Sequence, residues 1–319
     1  MRVFITGGSG CVGHYLVHRF LEDPETELVL LLRRPERLTL PNGSEGRVTV
    51  LKGDLRSGPE HREALQGIDL GLLAATAWGG KDTFDITVGA NLTLTDLLIE
   101  GGAKKIVYFA SASVLARDGS LLDQAREIGT EYIQAKYRLV EEIETRSDRA
   151  RLTGFFPTVI FGGGAAPVGA PLSHFARMLF ENQRWLPLLR HLSAPGRLHL
   201  IHPGDIATLA WHFAHQPETE GYARVVLGNA PVRVDDLIGD LARAAGRRHR
   251  PLLRVTDGRL RAFAKLFRAR LSEWDWYCAT HTDQSYPTAI MPGDLGLKVE
   301  MPDMAAGLKS IGFPGNPNA

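Results

Sequence analysis

The sequence has few cysteines, almost no net charge and no long apolar run. Its two cysteines, Cys11 and Cys278, cannot form a disulfide framework, which favours a reducing, intracellular setting. The formal net charge of +1 gives no whole-chain reason to expect nucleic acid as a partner. No apolar run approaches a membrane span, and the N-terminal apolar stretch is too short for a signal peptide. These absences predict a cytoplasmic protein without a transmembrane segment.

The residues of two familiar kinds of catalytic site are also missing. The run Gly8-Ser9-Gly10-Cys11 does not complete the G-x-S-x-G pattern of a nucleophile elbow, so serine hydrolysis is unsupported. His199 and His202 are three residues apart, as are His212 and His215, but no cysteine or acidic cluster completes a metal site. We therefore predict structural or surface histidines and no bound metal.

The strongest local pattern lies in the first thirteen residues. Val3-Phe4-Ile5 is typical of a buried strand, and Gly7, Gly8 and Gly10 crowd the turn that follows. Val12-Gly13 then opens a segment with helical apolar spacing. Glycines let backbone N–H groups approach a pyrophosphate, and the helix N-terminus offers partial positive charge. This order of strand, glycine turn and helix predicts a dinucleotide-binding site.

The pattern up to about residue 160 alternates strands with helices, which predicts an α/β fold with a doubly wound parallel sheet of the Rossmann type. The predicted strands are Arg2–Thr6, Leu28–Leu32, Val48–Lys52, Leu70–Ala75, Lys105–Ala110, Leu152–Phe156 and Tyr222–Leu227. The predicted helices are Cys11–Leu21, Phe84–Glu100 and one around Gly129–Thr145, with a short element near Glu60–Gln66. We expect a dinucleotide-binding domain at 1–160, with returning segments at about 197–230. Residues 161–196 and 231–319 would form a smaller, mostly helical substrate-binding region.

The end of the second strand bears on the choice of cofactor. An NAD site usually has an acidic residue there for the ribose 2′-hydroxyl, but this strand runs into Arg33-Arg34-Pro35. Two guanidinium groups suit a 2′-phosphate, so NADP(H) is favoured over NAD(H), and a basic solvated loop is the simpler alternative. Asp54 follows the third strand, where it is either an acceptor for the adenine amino group or a plain turn residue.

Candidate catalytic residues come from a predicted helix and from the strand before it. Tyr132 and Lys136 are four residues apart, so they share one helix face. A lysine ammonium near a phenol lowers the pKa of the phenol, as a proton relay to a ketone or hydroxyl needs. Ser111 ends the preceding strand, where it could reach the same carbonyl. The three residues together point to carbonyl–alcohol chemistry.

The ordered motifs of the chain resemble those of the extended short-chain dehydrogenases/reductases, the NAD-dependent epimerase/dehydratase-like group. The matching pieces are T-G-G-S-G-C-V-G at 6–13, G-D-L at 53–55, L-A-A at 73–75, N-L-T at 91–93, Y-F-A-S-A-S-V-L at 108–115, Y-I-Q-A-K at 132–136, F-F-P-T-V-I-F-G at 155–162 and I-H-P-G-D-I at 201–206. The resemblance extends to about residue 230 and fades afterwards.

The resemblance implies a catalytic tetrad. Tyr132 would be the general acid in reduction or the base in oxidation, and Lys136 would bind the nicotinamide ribose. Ser111 would polarise the substrate carbonyl, with Ser113 a less favoured substitute. Asn91 would support the active-site helix and a relay water, unless it is a helix surface residue. The cofactor would contact Gly7, Gly8, Ser9, Gly10, Cys11, Val12, Gly13, Arg33, Arg34, Asp54, Leu55, Ala74, Ala75, Thr76, Tyr132, Lys136, Pro157, Val159 and Ile160.

Departures from the family pattern bear on the substrate. Ala112-Ser113 stands where the 4,6-dehydratases have an acidic pair, which disfavours dehydration. Leu198 replaces the arginine with which epimerases commonly grip a diphosphate. Aromatic side chains at Phe175, Phe180, Trp185 and 274–277 suit an apolar carbonyl compound, or else they pack the smaller region.

Taken together, the sequence predicts an NADP(H)-dependent oxidoreductase that reduces a ketone or aldehyde of a medium-sized, partly apolar substrate, or oxidises the alcohol. The alternatives are a nucleotide-sugar epimerase or reductase and a non-catalytic NADP(H) sensor or interaction protein. The resemblance suggests a homodimer. The basic amphipathic segment 259–271 either covers a domain or contacts an anionic membrane surface or an acidic carrier.

Overall fold

The computed structural model describes residues 1–164, 167, 169–216, 222–259 and 271–315. Its strands are β1 (Arg2–Thr6), β2 (Glu27–Leu32), β3 (Val48–Lys52), β4 (Leu70–Leu73), β5 (Lys105–Phe109), β6 (Arg151–Pro157), β7 (Val159–Ile160), β8 (Leu192–Ser193), β9 (Arg197–Leu198), β10 (Leu200–Ile201), β11 (Tyr222–Leu227), β12 (Val232–Arg233), β13 (Leu253–Arg254) and β14 (Asp283–Gln284).

The helices are α1 (Cys11–Leu21), α2 (Asn91–Glu100), α3 (Asp123–Glu127), α4 (Glu131–Ile143), α5 (His174–Asn182), α6 (Leu186–Leu189), α7 (Pro203–His215), α8 (Val234–Ala244), Glu273–Thr280 and Met304–Ser310. A π-helical stretch, Asp85–Ala90, runs directly into α2. Short 3₁₀ turns include Leu55–His61, Ala112–Val114 and Gln183–Trp185.

The main sheet has seven strands in the order β11-β6-β5-β4-β1-β2-β3. Every pair in it is parallel. The strand order reverses between β1 and β4, and in open parallel sheets a ligand crevice forms at such a point, beyond the carboxyl ends of the strands. The predicted doubly wound parallel sheet is confirmed.

The sheet is covered on both faces because its strands alternate apolar side chains to both sides. Phe4 belongs to the apolar cluster under α2 and α4. Val3 and Ile5 belong to the cluster under α1 and α7. Fully buried strands of this kind read as continuous apolar runs, as Leu28–Leu32 does. Both faces are therefore core, and the polar chemistry is confined to the strand ends.

A third apolar cluster lies outside the main sheet. It joins α5 and α6 to α8 and to the helix Met304–Ser310 through Phe180, Leu186, Leu241 and Leu308. Meanwhile β11 extends the main sheet beside β6, and α7 packs against α1. Segments on either side of residues 197–230 thus share one core, and within that range β11 joins the main sheet while α7 packs on its face.

Several element boundaries differ from the predicted ones. The fourth strand ends at Leu73 and not at Ala75, because the chain leaves the sheet for the crevice. The predicted helix at Phe84–Glu100 begins as the π-helical stretch. The element expected near Glu60–Gln66 is the 3₁₀ turn Leu55–His61. Most of the segment 259–271 lies outside the described residues. Within the described ranges, no helix combines the length and apolarity needed to cross a bilayer.

Candidate active site

Three glycines, Gly7, Gly10 and Gly13, shape the turn after β1. Gly7 has φ +74°, a left-handed conformation that glycine adopts without strain. The Gly10 amide donates to the Gly7 carbonyl oxygen at 2.8 Å, which closes the turn. A Cβ on Gly13 would lie 2.0 Å from the same oxygen. Only glycine therefore lets the first turn of α1 pack against this loop.

The start of α1 is suited to an anion. The helix begins at Cys11, and no acidic residue lies in its first turn. Its unpaired N–H groups and its dipole therefore remain available for a phosphate group. Burial raises the pKa of the Cys11 thiol to about 12, so this cysteine stays protonated and inert. Gly8, Ser9 and Val12 complete the predicted loop.

The segment after β4 forms the opposite wall of the crevice. The Ala75 amide donates to Thr6 Oγ1 at 3.2 Å, and a Cβ on Gly7 would lie 3.0 Å from the Ala75 nitrogen. Thr76 contacts the Thr87 hydroxyl at 3.1 Å. Ala74, Ala75 and Thr76 thus lie directly across from the glycine turn.

At the far end of the crevice, Arg33 and Arg34 follow β2. Both are exposed, and neither guanidinium forms a hydrogen bond or an ion pair with a described residue. The Asp54 carboxylate accepts from the Arg56 amide at 2.8 Å and from the Arg56 guanidinium at 2.7 Å. These contacts hold the pKa of Asp54 below its usual value. Asp54 thus acts here as the cap of the turn that carries the buried Leu55.

The catalytic candidates lie where β5 ends against α4. Lys136 is 2% exposed, and its Nζ donates to the Phe109 carbonyl oxygen at 2.6 Å. Ser111 follows two residues later, and its Oγ accepts from the Ser113 amide at 3.3 Å. Tyr132 lies one helical turn before Lys136, whose Nζ is 6.0 Å from the phenol ring centroid. The Lys136 bond thus ties the tyrosine-bearing helix to the strand end that carries Ser111.

Burial sets the protonation of this pair, and the predicted lowering of the Tyr132 pKa by Lys136 is not found. It raises the pKa of Tyr132 to about 12 and lowers the pKa of Lys136 to about 7. Both shifts favour the uncharged form, since transfer from water into a packed interior disfavours charge. At neutral pH the phenol is therefore protonated, as a proton donor must be.

Asn91 lies at the junction of the π-helical stretch and α2, and it is buried. Its Nδ2 donates to the carbonyl oxygens of Thr87 at 3.0 Å and Ile86 at 3.2 Å. Its Oδ1 is buried and has no hydrogen-bond partner among the described residues. The surface alternative for Asn91 is therefore excluded, and the free acceptor suits the predicted relay water.

The remaining predicted cofactor residues lie on the neighbouring strands. Pro157 ends β6, and Val159 and Ile160 form β7, which pairs with β10. All predicted site residues therefore follow the carboxyl ends of parallel strands or begin the helices after them, at one edge of the sheet.

Sequence reasoning missed Trp78, which covers the candidate phenol. Its ring stacks on Tyr132 with centroids 4.7 Å apart and planes 3° apart, and on His174 at 5.6 Å. The loop is shaped by Gly79 and Gly80, both with positive φ, and the Gly80 amide donates to Glu131 at 2.9 Å. The adjacent glycines after a strand end were the available signal.

Several of the other aromatic and histidine candidates have structural roles. Phe180 packs against Phe313, and Trp274 is buried against Tyr277. His202 accepts from the Gly204 amide and caps α7. His199 bonds the Asn229 carbonyl oxygen through Nδ1 and accepts the Tyr286 amide on Nε2. Packing and capping explain all of these residues.

Comparison with known proteins gives the following similarities. Residues 7–149 match a family model described as NAD(P)H-binding. A 3-beta-hydroxysteroid dehydrogenase of Mycolicibacterium neoaurum is 29% identical over 125 residues, which is 36% of this chain and 33% of that protein. The matched part thus spans about a third of the relative's length.

Solved structures share the fold at low sequence identity. A UDP-glucose 4-epimerase from Thermotoga maritima, solved with UDP-glucose, is 12% identical with a TM-score of 0.65, covering 97% of both chains. MoeE5, solved with UDP-glucuronic acid and NAD, is 18% identical with a TM-score of 0.65, also covering 97% of each chain. The similarity therefore extends over the whole fold, and the sequence match is concentrated in the nucleotide-binding half.

Proposed function

We propose that this protein is an NADP(H)-dependent carbonyl reductase of the extended short-chain dehydrogenase/reductase type. The NAD(P)H-binding match over residues 7–149 and the fold shared with solved structures support this proposal. Its substrate would be a medium-sized, partly apolar ketone or aldehyde. The observation that carries the proposal is the tie between Lys136 and the Phe109 carbonyl oxygen, which holds Tyr132 and Ser111 to one strand end beside the crevice.

The crevice fits a dinucleotide. A Cβ on Gly7 would press against Ala75, and a Cβ on Gly13 would overlap the Gly7 carbonyl oxygen, so only glycines allow the compact strand–turn–helix packing that a dinucleotide loop uses. The glycine turn and the N-terminus of α1 would hold the pyrophosphate, and Ala74 to Thr76 would line the opposite wall. Arg33 and Arg34 would hold the 2′-phosphate, which supports NADP(H) over NAD(H).

The chain's own residues would carry the proton chemistry. When bound, a nicotinamide cofactor would supply the hydride to the carbonyl carbon. Ser111 donates a hydrogen bond to the carbonyl oxygen and polarises it, while Tyr132 gives that oxygen its proton. The Tyr132 phenol holds its proton at neutral pH, as a proton donor must. Lys136 would bind the ribose hydroxyls through Nζ.

The test is NADPH oxidation with a panel of apolar ketones and aldehydes, using wild type and Tyr132→Phe. We expect turnover by wild type and a loss of about 10²–10⁴-fold in kcat for Tyr132→Phe, with NADPH affinity unchanged. Tyr137→Phe, a buried tyrosine on the same helix, is the matched control and should retain turnover. Tight NADPH binding without turnover on any carbonyl would favour the sensor alternative.

The second candidate is a nucleotide-sugar epimerase or reductase, which the UDP-sugar complexes of the structural neighbours favour. Against it, Leu198 stands where such enzymes commonly have an arginine for the diphosphate. UDP- and TDP-sugars should raise the melting temperature if this alternative is right. The carbonyl reductase proposal predicts no such shift.

A further inference from the structure

Two segments of the smaller region lie side by side at the surface. Residues 184–195 contain α6 and β8, and residues 246–255 contain β13, which pairs with β8. The Leu252 amide donates to the His191 carbonyl oxygen at 2.8 Å, and the Arg250 amide donates to the Arg190 carbonyl oxygen at 2.9 Å. We call these two segments together the basic–apolar surface.

The charge of this surface has one sign. Neither segment contains an aspartate or a glutamate. Their arginines are Arg184, Arg190, Arg247, Arg248, Arg250 and Arg254. The nearest carboxylate that contacts the surface is Asp235, which accepts from the Ser193 hydroxyl and the Ala194 amide and is thereby occupied. No arginine of the surface forms an ion pair within the part of the chain that the structure describes.

The same surface exposes large apolar side chains between the arginines. Leu252 is 80% exposed, Leu188 is 61% exposed, and Trp185 and Leu253 are each 47% exposed. Leu189 is 38% exposed. A cluster of exposed leucines with a tryptophan, set among arginines, marks an interaction site rather than ordinary surface.

We propose that the basic–apolar surface docks on an anionic lipid bilayer. Tryptophan and leucine favour the interfacial zone of a bilayer, and arginines are attracted to anionic headgroups. A nucleic acid would bind the arginines but gain little binding energy from Leu188 or Leu252. The exposed leucines therefore favour a lipid bilayer as the partner. The proposal is independent of the catalytic one, and residues 260–270 have no part in it.

The experiment is co-sedimentation of the full chain with vesicles of phosphatidylcholine alone or of phosphatidylcholine with phosphatidylglycerol. We expect binding to the anionic vesicles only, weakened by added salt. Arg248→Ala and Arg250→Ala should each weaken partitioning about fivefold. Leu252→Ser should weaken it about tenfold with every charge kept. Arg138→Ala on α4 and Leu295→Ser, both exposed and outside this surface, are the matched controls and should bind as wild type.

The outcomes separate the possible partners. Unchanged melting temperatures would show that the variants are folded, since all substituted side chains are exposed. Failure to bind anionic vesicles would overturn the proposal. So would vesicle binding that the arginine variants lose and Leu252→Ser retains, because that pattern describes a purely electrostatic surface. Binding of a single-stranded oligonucleotide in preference to vesicles would assign the surface to nucleic acid instead.

Discussion

The two ends of the cofactor crevice hold their polar groups in different ways. At one end, Lys136 is buried and its Nζ is fixed by the Phe109 carbonyl oxygen. At the other, Arg33 and Arg34 are exposed, and their guanidinium groups form no hydrogen bond or ion pair with residues the structure describes. Packing fixes the position and the protonation state of Lys136 at the first end. At the second end, the arginine side chains are free to adapt to a charged ligand. We therefore expect substitutions at the first end to change the rate and those at the second to change affinity.

The largest expected effect is at the buried end. Lys136→Met keeps the length and packing of the side chain but removes the donor to Phe109. We expect a loss in kcat of about 10²–10⁴-fold, measured by steady-state turnover with NADPH. Lys105→Met, a lysine of the same sheet that bonds the Ala214 and Gln216 carbonyl oxygens, is the control and should keep most of the activity.

The same substitution should change the pH dependence of stability. Burial lowers the pKa of Lys136 to about 7 from the ordinary 10.5, so between these values the unfolded state binds more protons than the folded state. Wild-type stability should therefore fall, relative to Lys136→Met, as pH decreases from 10.5 towards 7. Thermal melts across this range should show that the melting temperature of wild type minus that of Lys136→Met increases as pH rises. A difference that decreases as pH rises would contradict the buried, uncharged lysine.

The exposed end should give the next largest effect. Arg33→Ser and Arg34→Ser each remove a charged donor for a 2′-phosphate, so NADPH affinity should fall by about tenfold to hundredfold per residue. NADH affinity should hardly change. Titration calorimetry with both nucleotides measures the ratio of NADPH affinity to NADH affinity. Arg37→Ser, which changes an exposed arginine nearby, is the control. Equal losses of affinity for NADPH and NADH would contradict the assignment of Arg33 and Arg34 to the 2′-phosphate.

A smaller effect is expected where Trp78 covers Tyr132. Trp78→Ala opens the phenol but removes an apolar wall, which should raise the KM for apolar carbonyls by about tenfold with kcat less affected. Trp78→Phe should recover most of the loss, since it restores a flat ring. A larger change in kcat than in KM would mean that Trp78 positions Tyr132 instead.

The smallest effect separates the two interpretations of Asp54. If the carboxylate is only a cap, Asp54→Ala should cost about 1 kcal/mol of unfolding free energy and leave NADPH affinity unchanged. If it also accepts the adenine amino group, NADPH affinity should fall as well. Chemical denaturation and nucleotide titration on the same preparation distinguish the two results.

The nucleotide-binding half could be predicted from sequence because its signals are local. The strand Arg2–Thr6 and the helix Cys11–Leu21 have the predicted bounds, since an apolar run and a glycine turn specify them directly. The predicted Tyr132–Lys136 spacing could place both on α4, but not the bond from Lys136 to Phe109 across 27 residues. The stacking of Trp78 on Tyr132 and the basic–apolar surface depend on long-range packing, and the glycines at 79 and 80 indicate only that a loop follows the strand.

The stacking of Trp78 on Tyr132 also gives the protein an optical reporter of its own crevice. The indole is 68% exposed yet lies flat on the candidate proton donor. A molecule that enters between the two rings, or moves the loop aside, must change the emission of this tryptophan. Stopped-flow fluorescence could therefore time the arrival of substrate separately from hydride transfer, with Trp78→Phe identifying which part of the signal belongs to this residue.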